Sequence, residues 1–376
     1  MNSTITTDVP DAATQPHPWD RLVQLPDKAR IWEYGYYLES EPLGSTREGL
    51  VDVIERRGAE VRFVWTPETP EPVVPERVPF LIEAFRKVQV REARHQISIG
   101  AAMAGFGLLV AIALQDVKYI VRGILVIFGA VFLVDGIWQY QRSRHYTPED
   151  AARDASTARF TLWLKSKRLS GYSITLAACI IVVGLVQAIN PDWLKVAALV
   201  KPAVRDGEIW RLFTAMLMHA SFTHFWLNFL ALLHFSRIVE QTLHRAYVPL
   251  VFLIAGPIGG VFSVLLYPNT SSVGASGGLM GLLGFITMAA YFDRTKYPAK
   301  YFRQLIEAIV FTGVFGLLGF AFIDNAAHLG GLVGGLAAGW FFLKVKRADK
   351  LLHTAGVVSV SALILIAVFA IHRMLR

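Results

Sequence analysis

The sequence predicts an all-α polytopic membrane protein with a small soluble N-terminal region. Hydrophobic residues make up 54% of the chain and charged residues 18%, so the chain is more apolar than a typical soluble protein. The apolar residues form runs long enough to cross a hydrocarbon core, which takes roughly 20 residues. Lys and Arg lie between these runs. The formal net charge of +8 therefore indicates topology signals and not a nucleic-acid-binding surface.

Hydropathy predicts nine membrane-spanning helices. They are expected at 97–114, 119–140, 171–189, 219–238, 246–267, 275–292, 303–320, 326–343 and 354–372. Asp135 and the very short link "QDVKY" fit the first two poorly.

Residues 1–95 are expected to form a cytosolic domain followed by a linker. The segment "TREGLVDVIERRG" has helical spacing and "AEVRFVW" alternates like a strand, so residues 20–70 could make a small α+β domain. The run "TPETPEPVVPERVP" predicts a proline-stiffened linker. No catalytic constellation is visible in this region, so a docking role, a regulatory role and a plain solubilised extension all stay open.

Residues 141–169 are expected to form a cytosolic helix between spans. Thr147 is placed as its N-cap, Pro148 at its first position, and Glu149 and Asp150 in its first turn. These residue types are the ones preferred at the start of a helix. An extramembrane helix is therefore predicted here.

Basic residues also predict the orientation of the chain. Short loops rich in Lys and Arg stay in the cytoplasm, and these include "RIVEQTLHRAY", "DRTKYPAKYFR" and "KVKRADK". The stretches "YPNTSSVGA" and "AFIDNAA" carry no basic residue and are expected at the outer face. The first twenty residues lack an apolar signal core, so the N-terminus is expected inside and, with nine spans, the C-terminus outside.

Ser276 is the first of three polar groups at the outer ends of predicted spans. In "GASGG" it starts the 275–292 helix, where free N–H groups and the helix dipole would stabilise an oxyanion. Gly274 permits unusual dihedrals. On its own the motif favours a serine that merely caps the helix beside glycines that serve packing, because small-residue motifs are common in membrane helices.

His328 is the second group. It enters the apolar helix 326–343 about one turn from the outer surface, and imidazole is the commonest general base near neutral pH. Gly331, Gly335 and Gly339 follow at a spacing of four and form a face that admits a neighbouring helix. This face could bring His328 to Ser276. A histidine bonded only to a neighbouring carbonyl is the alternative.

The third group is "MHASFTHFWLN", with His219, His224 and Asn228 at the outer end of the 219–238 helix. His224 and Asn228 are four residues apart and share a helix face, so their donors can converge. On a helix, His219 and His224 would lie roughly 140° apart, and no H-E-x-x-H motif or nearby carboxylate completes a zinc site. The single cysteine, Cys179, excludes an intrachain disulfide and a cysteine-based metal site.

Together the three groups supply a nucleophile, a base and an oxyanion-stabilising pair at one depth of the membrane. These are the roles that acyl transfer requires. An outward-facing cavity at that depth could admit the necessary water.

At these residues the sequence resembles the rhomboid family of intramembrane serine proteases. The resemblance covers about 170–345, six spans, and rests on four motifs in family order. They are "WR" at Trp210 and Arg211, H-x4-H-x3-N at His219 to Asn228, G-x-S-G at Gly274 to Gly277, and A-H-x-x-G at Ala327 to Gly331.

The resemblance implies a role for each matched residue. Ser276 and His328 would form a catalytic dyad without an acidic third member. The oxyanion hole would consist of His224, Asn228 and the Ser276 backbone N–H, with His219 in a supporting hydrogen bond. Trp210 and Arg211 would be structural, in a loop that lies partly in the outer leaflet.

Two residues near the dyad need separate interpretation. Asp324, four residues before His328, suits an N-cap better than a triad member. Met280 stands one turn after Ser276, where the family commonly has an aromatic ring against the dyad histidine. A methionine can fill that space but orients the imidazole less.

The predicted architecture is a rhomboid-like six-helix core at 170–345, two additional transmembrane helices at 96–140 and one more at 346–376. The predicted function is endoproteolysis of transmembrane proteins within the lipid bilayer of the cell (inner) membrane, with the site open to the outer face. No cofactor, metal or nucleic acid is expected. The alternatives are a catalytically silent rhomboid-like protein that binds membrane clients and, more remotely, a transporter, although no inverted repeat is apparent.

Overall fold

The computed structural model describes residues 32–36, 43–67, 73–113, 119–190, 192–319, 323–344 and 348–376. The N-terminal segment 1–31, the link "QDVKY" up to residue 118 and parts of "AFIDNAA" and "KVKRADK" lie outside the described residues. The described strands are β1 (Glu33–Tyr36), β2 (Leu43–Gly44), β3 (Val61–Trp65), β4 (Leu199–Val200) and β5 (Ser271–Ser272).

Helices make up most of the described chain. They are α1 (Arg47–Arg57), α2 (Pro79–Ala113), α3 (Tyr119–Ser143), α4 (Pro148–Ser166), α5 (Gly171–Ile189), α6 (Trp193–Ala197), α7 (Lys201–Arg205), α8 (Arg211–Thr214), α9 (Phe222–Thr242), α10 (Tyr247–Leu266), α11 (Ser276–Phe292), α12 (Tyr301–Leu318), α13 (Asn325–Leu343) and α14 (Asp349–Leu375). The chain divides into two units, Met1–Phe85 with Thr147–Phe160, and Arg86–Tyr146 with Thr161–Arg376.

The first unit contains the predicted α+β elements. Its antiparallel sheet has the order β2-β1-β3, and α1 begins after Thr46, whose side chain accepts a hydrogen bond from the Gly49 N–H. The stretch predicted as a strand forms β3, and all five of its residues are buried. A strand covered on both faces does not need an apolar–polar alternation.

The proline-rich stretch differs from the predicted linker in its described part. Val73 pairs with Val64 of β3, and a 3₁₀ turn at Pro75–Arg77 follows. Within the same unit the buried Glu76 carboxylate binds the Arg159 guanidinium of α4 at 2.8 Å. Residues 73–78 are thus packed into the unit because their backbone and their acidic side chain both find partners there.

The start of α4 agrees with its predicted capping residues. The Thr147 hydroxyl accepts from the Asp150 N–H at 3.2 Å, and the Asp150 carboxylate accepts from the Thr147 N–H at 3.3 Å. This reciprocal pair satisfies two of the donors that a helix start leaves free.

Hydrogen bonds within and between α2 and α3 account for Asp135, the polar residue that fitted its predicted span poorly. α2 runs without a break through the predicted boundary at 95/96. The Asp135 carboxylate accepts from Gln96 of α2 at 2.6 Å and from Gln139 at 2.8 Å. A carboxylate inside an apolar helix is therefore satisfied by amides from its own helix and from its neighbour.

Four helices of the described chain are long and apolar enough to cross a membrane: α5, α10, α13 and α14. A fifth span is possible if Arg211–Leu217 and α9 count as one, although a bend of 93° separates them. α11 is a shorter apolar helix of 17 residues. Helices also occupy the spans predicted at 97–114, 119–140 and 303–320, whose crossing stays a prediction.

The centre of the second unit is the packing of α13 against α10 and α11. The glycine face predicted on α13 makes this contact. A Cβ on Gly331 would overlap the Gly277 carbonyl oxygen, and one on Gly335 would overlap that of Gly281. Only glycine lets the two backbones lie this close, as in other small-residue helix contacts.

A short strand pair closes the side of the unit where α11 and α13 begin. β4 and β5 are antiparallel, with Leu199 opposite Ser272 and Val200 opposite Ser271. β4 belongs to the long connection between α5 and α9, and β5 ends four residues before Ser276. The pairing therefore fixes the approach to α11, and it was not predicted.

Candidate active site

Ser276 is the first residue of α11, directly after an unusual backbone turn. Gly274 has φ +133°, and its N–H donates to the Ala215 carbonyl at 2.9 Å. The N-cap is Ala275, which has no capping side chain, so the Ser276 hydroxyl does not serve as the helix cap. As the first helical residue, Ser276 has a backbone N–H without an intrahelical acceptor.

His224 lies beside the serine across Gly274. A Cβ on Gly274 would be 2.8 Å from His224 Nε2 and 3.7 Å from Ser276 Oγ, so both atoms border the same small space. His224 is in the first turn of α9, where the Ser221 hydroxyl accepts from its N–H at 3.2 Å. This cap fixes the helix start that presents the imidazole.

Asn228 lies one turn further along α9 and is 6% exposed. Its amide nitrogen donates to the His224 carbonyl at 2.8 Å. One N–H of that amide is thus committed to the helix, and the second can serve another acceptor.

His328 lies in the first turn of α13. The helix begins at an N-cap formed by Asp324, whose carboxylate accepts from the Ala327 N–H at 3.0 Å, so the predicted capping role is confirmed. His328 Nδ1 is buried and has no hydrogen-bond partner in the described part of the chain. The alternative was a histidine bonded only to a neighbouring carbonyl. Nδ1 makes no such bond to a described residue.

Backbone contacts join the helix starts that carry the two predicted dyad residues. A Cβ on Gly277 would lie 3.5 Å from the Ala327 carbonyl oxygen, and Gly277 also contacts Gly331. Gly277 directly follows Ser276, Ala327 directly precedes His328, and Gly331 lies one turn after that histidine. The predicted nucleophile and base are consequently on adjoining first turns of two helices in direct contact.

His219 is placed differently from the prediction. It precedes α9 and is not part of a continuous 219–238 helix, because the Ser221 cap starts the helix after it. Its ring meets that of His224 edge to face at a centroid distance of 5.2 Å. Neither ring nitrogen has a hydrogen-bond partner among the described residues, so the support seen for His224 is an aromatic contact.

Gln187 of α5 is a residue of this site that sequence reasoning missed. Its amide oxygen accepts from the His219 N–H at 3.0 Å, and its amide nitrogen donates to the His219 carbonyl at 2.5 Å. These two hydrogen bonds lie at the 93° bend between Arg211–Leu217 and α9 and tie it to α5. A glutamine near the end of an apolar span was the available signal.

Trp210 and Arg211 organise the connection before α9. The Arg211 guanidinium binds the Glu208 carboxylate and donates to the carbonyls of Val196 and Ala198 at 2.8 and 2.9 Å. It also stacks on the Trp210 ring at 4.5 Å. Only arginine carries several N–H donors on one planar group at the end of a long side chain, so no other residue could make this set of bonds.

The additional helix α14 contacts the Trp210 ring. Its ring packs edge to face on Phe369 at 5.4 Å, and the Arg373 guanidinium lies 4.9 Å from it. The C-terminal helix therefore contacts the structural loop of the site.

Met280 is 8% exposed, one turn after Ser276 in the buried middle of α11. The helix there faces α10 and α13 closely, as the neighbouring Gly281 shows by its contact with Ala255.

In the described residues, no group of three or more His, Cys, Asp or Glu side chains is arranged to hold a metal ion. The arrangement offers a hydroxyl, imidazoles, an amide and a free N–H, which are the groups of an acyl-transfer site.

Comparisons with known proteins agree on the region that contains this site. The model of the rhomboid domain matches residues 206–345. RHOMBOID-like protein 6, mitochondrial, from Arabidopsis thaliana is 35% identical over 154 residues, which are 40% of this chain and 47% of the relative. Rhomboid protease GluP from Bacillus subtilis (strain 168) is 34% identical over 139 residues, 36% of this chain and 26% of the relative.

A shorter relative is covered over nearly three quarters of its length. Putative rhomboid protease YdcA from Bacillus subtilis (strain 168) is 31% identical over 148 residues, 39% of this chain and 73% of the relative. The chain spans less than half the length of the plant relative and of GluP. The match to YdcA covers most of a rhomboid chain, and the domain match includes Trp210, the His219–Asn228 motif, Ser276 and His328. The chain therefore belongs to the rhomboid family.

Proposed function

We propose that the protein is an intramembrane serine endopeptidase that cleaves transmembrane segments of other membrane proteins. The observation that carries this proposal is the contact between the starts of α11 and α13, which places the neighbours of Ser276 and His328 against each other. Two further observations support it: His328 Nδ1 is buried without a hydrogen-bond partner among the described residues, and His224 lies near Ser276.

In the proposed acylation step, His328 accepts the Ser276 hydroxyl proton while Oγ bonds to the scissile carbonyl carbon. The carbonyl oxygen becomes an oxyanion, stabilised by His224, Asn228 and the Ser276 N–H. Collapse of this intermediate breaks the C–N bond, and the histidine returns the proton to the leaving amine. The acyl-enzyme and the first product remain.

Deacylation repeats these steps with water. His328 removes a proton from a water molecule that attacks the ester carbonyl, and Ser276 Oγ leaves with the proton. Water would enter from the outer face, which the charge pattern of the loops favours. Substrate helices must unwind before a peptide bond can reach the serine, so cleavage near small or helix-breaking residues is expected.

A rhomboid-like protein that binds membrane clients without cutting them is the second candidate. The family contains proteins whose names state protease activity, such as GluP, and others named only as rhomboid-like. Both dyad side chains are present in this chain, which favours the protease.

The test is labelling of the detergent-purified full-length protein by a fluorophosphonate probe, together with cleavage of a panel of transmembrane reporters. We expect the wild type to label and to cut at least one reporter. Ser276→Ala should abolish both activities, because the nucleophile is lost.

Ser271→Ala is the matched control, since Ser271 is an exposed serine five residues earlier. It should label as the wild type does. Labelling that persists in Ser276→Ala would contradict the nucleophile assignment, and a wild type that neither labels nor cuts would favour the silent client binder.

A further inference from the structure

Lys201 is a buried cation that the proposed mechanism does not use. Its side chain is 1% exposed. The ammonium donates to the Thr270 hydroxyl at 2.6 Å and lies 3.4 Å from an Asp324 carboxylate oxygen. The Tyr267 ring is 5.5 Å from the same nitrogen. A cation this deeply buried requires a charged partner, and Asp324 supplies it.

Asp324 divides its two carboxylate oxygens between different partners. Oδ1 accepts from the Ala327 N–H at 3.0 Å and thereby caps α13. Oδ2 accepts from the Ser263 hydroxyl of α10 and faces Lys201. The Asp324 carbonyl accepts from the His328 N–H at 3.1 Å. The residue that binds the buried cation is thus also the one that starts the helix of the proposed base.

Lys201 connects this cap to the serine side of the site. It directly follows β4, whose partner β5 ends four residues before Ser276. Its second partner, Thr270, immediately precedes β5. The Lys201 ammonium therefore binds Thr270, in the segment that leads to Ser276, and Asp324, the N-cap of the helix that carries His328.

The charges of this pair agree with its geometry. Burial lowers the pKa of Lys201, and the Asp324 carboxylate opposes that shift. Burial raises the pKa of Asp324, but the Ser263 hydrogen bond, the Ala327 N–H and the Lys201 charge together hold it below its usual value. Near neutral pH the carboxylate is therefore ionised.

We propose that Lys201 and Asp324 are positioning residues for the dyad: their ion pair fixes the start of α13 against the segment that leads to Ser276. Neither residue would touch the substrate. This inference rests on the proposed protease function, and it predicts that the pair acts on kcat and not on KM.

The experiment compares wild type, Lys201→Met, Asp324→Asn and the double variant. Asparagine caps a helix about as well as aspartate, so Asp324→Asn removes the charge and keeps the cap. We expect each single variant to lower kcat at least about tenfold with KM within about twofold. The double variant should be no slower than the slower single variant, since both changes break one interaction.

A matched control uses an ion pair of the same connection that is exposed. Lys195 and Asp192 lie 3.6 Å apart with side chains 85% and 86% exposed. Lys195→Met and Asp192→Asn should leave kcat unchanged, because exposed pairs contribute little. Active-site titration corrects each rate for the fraction of folded enzyme.

Amide hydrogen exchange supplies a readout that needs no activity. In Lys201→Met we expect faster exchange at Ala327 and His328, although the cap residue is intact. Unchanged exchange at these amides overturns the positioning role. If the wild type cleaves a reporter, an unchanged kcat in the Lys201 and Asp324 variants overturns it as well. If the wild type cleaves nothing, the protease proposal fails separately, and exchange alone decides whether the pair fixes α13.

Discussion

Gly274 shows how one residue without a side chain shapes the candidate site. Its backbone adopts φ +133°, a region that side chains disfavour, and its missing Cβ leaves room for the His224 imidazole. Both properties are required at the residue two positions before the proposed nucleophile. The sequence indicated an unusual dihedral at this glycine, but only the structure identified His224 as its neighbour.

Gly274→Ala should therefore disable the site. The new Cβ would lie 2.7 Å from His224 Cε1, so the imidazole must move. We expect kcat to fall about 100-fold, because small displacements of catalytic groups cost this much. Steady-state cleavage of a transmembrane reporter measures the change.

Gly207→Ala separates backbone strain from the steric contact. Gly207 also has a positive φ, +106°, but a Cβ there meets no atom of the described residues within 4 Å. This variant should keep kcat within about threefold while losing roughly 1 kcal/mol of stability to strain. Equal losses of kcat in the two variants would contradict a specific role for the His224 contact.

At the scale of elements, the approach of α11 to α13 decides whether the two positions of the proposed dyad meet. Glycines at 277, 281, 331 and 335 bring the two backbones into contact. The spacing of four residues predicted the face on α13 correctly. It did not reveal which helix packs on that face, since several spans of the chain carry small residues.

Gly335→Ala should force these helices apart. Its Cβ would overlap the Gly281 carbonyl oxygen, which is backbone and cannot rotate away. We expect a loss of about 1–3 kcal/mol of stability, as overpacked cores show, and slower probe labelling of Ser276. Thermal unfolding in detergent and labelling rates measure the two effects.

Gly313→Ala is the control for the helix propensity of alanine. Gly313 lies in α12, and in the described part of the chain no atom comes within 4 Å of the added Cβ. The substitution should be neutral or stabilise by up to about 1 kcal/mol. A destabilisation of Gly335→Ala no larger than that of Gly313→Ala would show that the close contact is unimportant.

At the scale of the whole molecule, the surface of the second unit suits a lipid environment. Large apolar side chains are strongly exposed, among them Phe222 at 78%, Ile189 at 74% and Leu317 at 71%. A soluble protein rarely leaves so many such groups in contact with water. The protein is therefore an integral multi-pass membrane protein, and its orientation follows from the loop charges as a prediction.

Single cysteines test that orientation. In a Cys179→Ala background, Asn269→Cys should react with a membrane-impermeant maleimide from the outer face. Ala299→Cys, in the basic loop before α12, should react only from the cytoplasmic face. Both positions are exposed. Labelling of right-side-out and inverted vesicles gives the answer, and the reverse pattern would overturn the predicted topology.

The sequence by itself determined the membrane class and most helix positions, and it predicted the residues proposed for the site with the exception of Gln187. Hydropathy and capping are local properties, so α5 and the caps at Thr147 and Asp324 could be predicted. The tertiary structure alone decided the bend before α9, its clamp by Gln187, and the pairing of Lys201 with Asp324. These contacts join residues far apart in the chain. A local sequence pattern cannot predict which buried polar groups will form hydrogen bonds or ion pairs with one another.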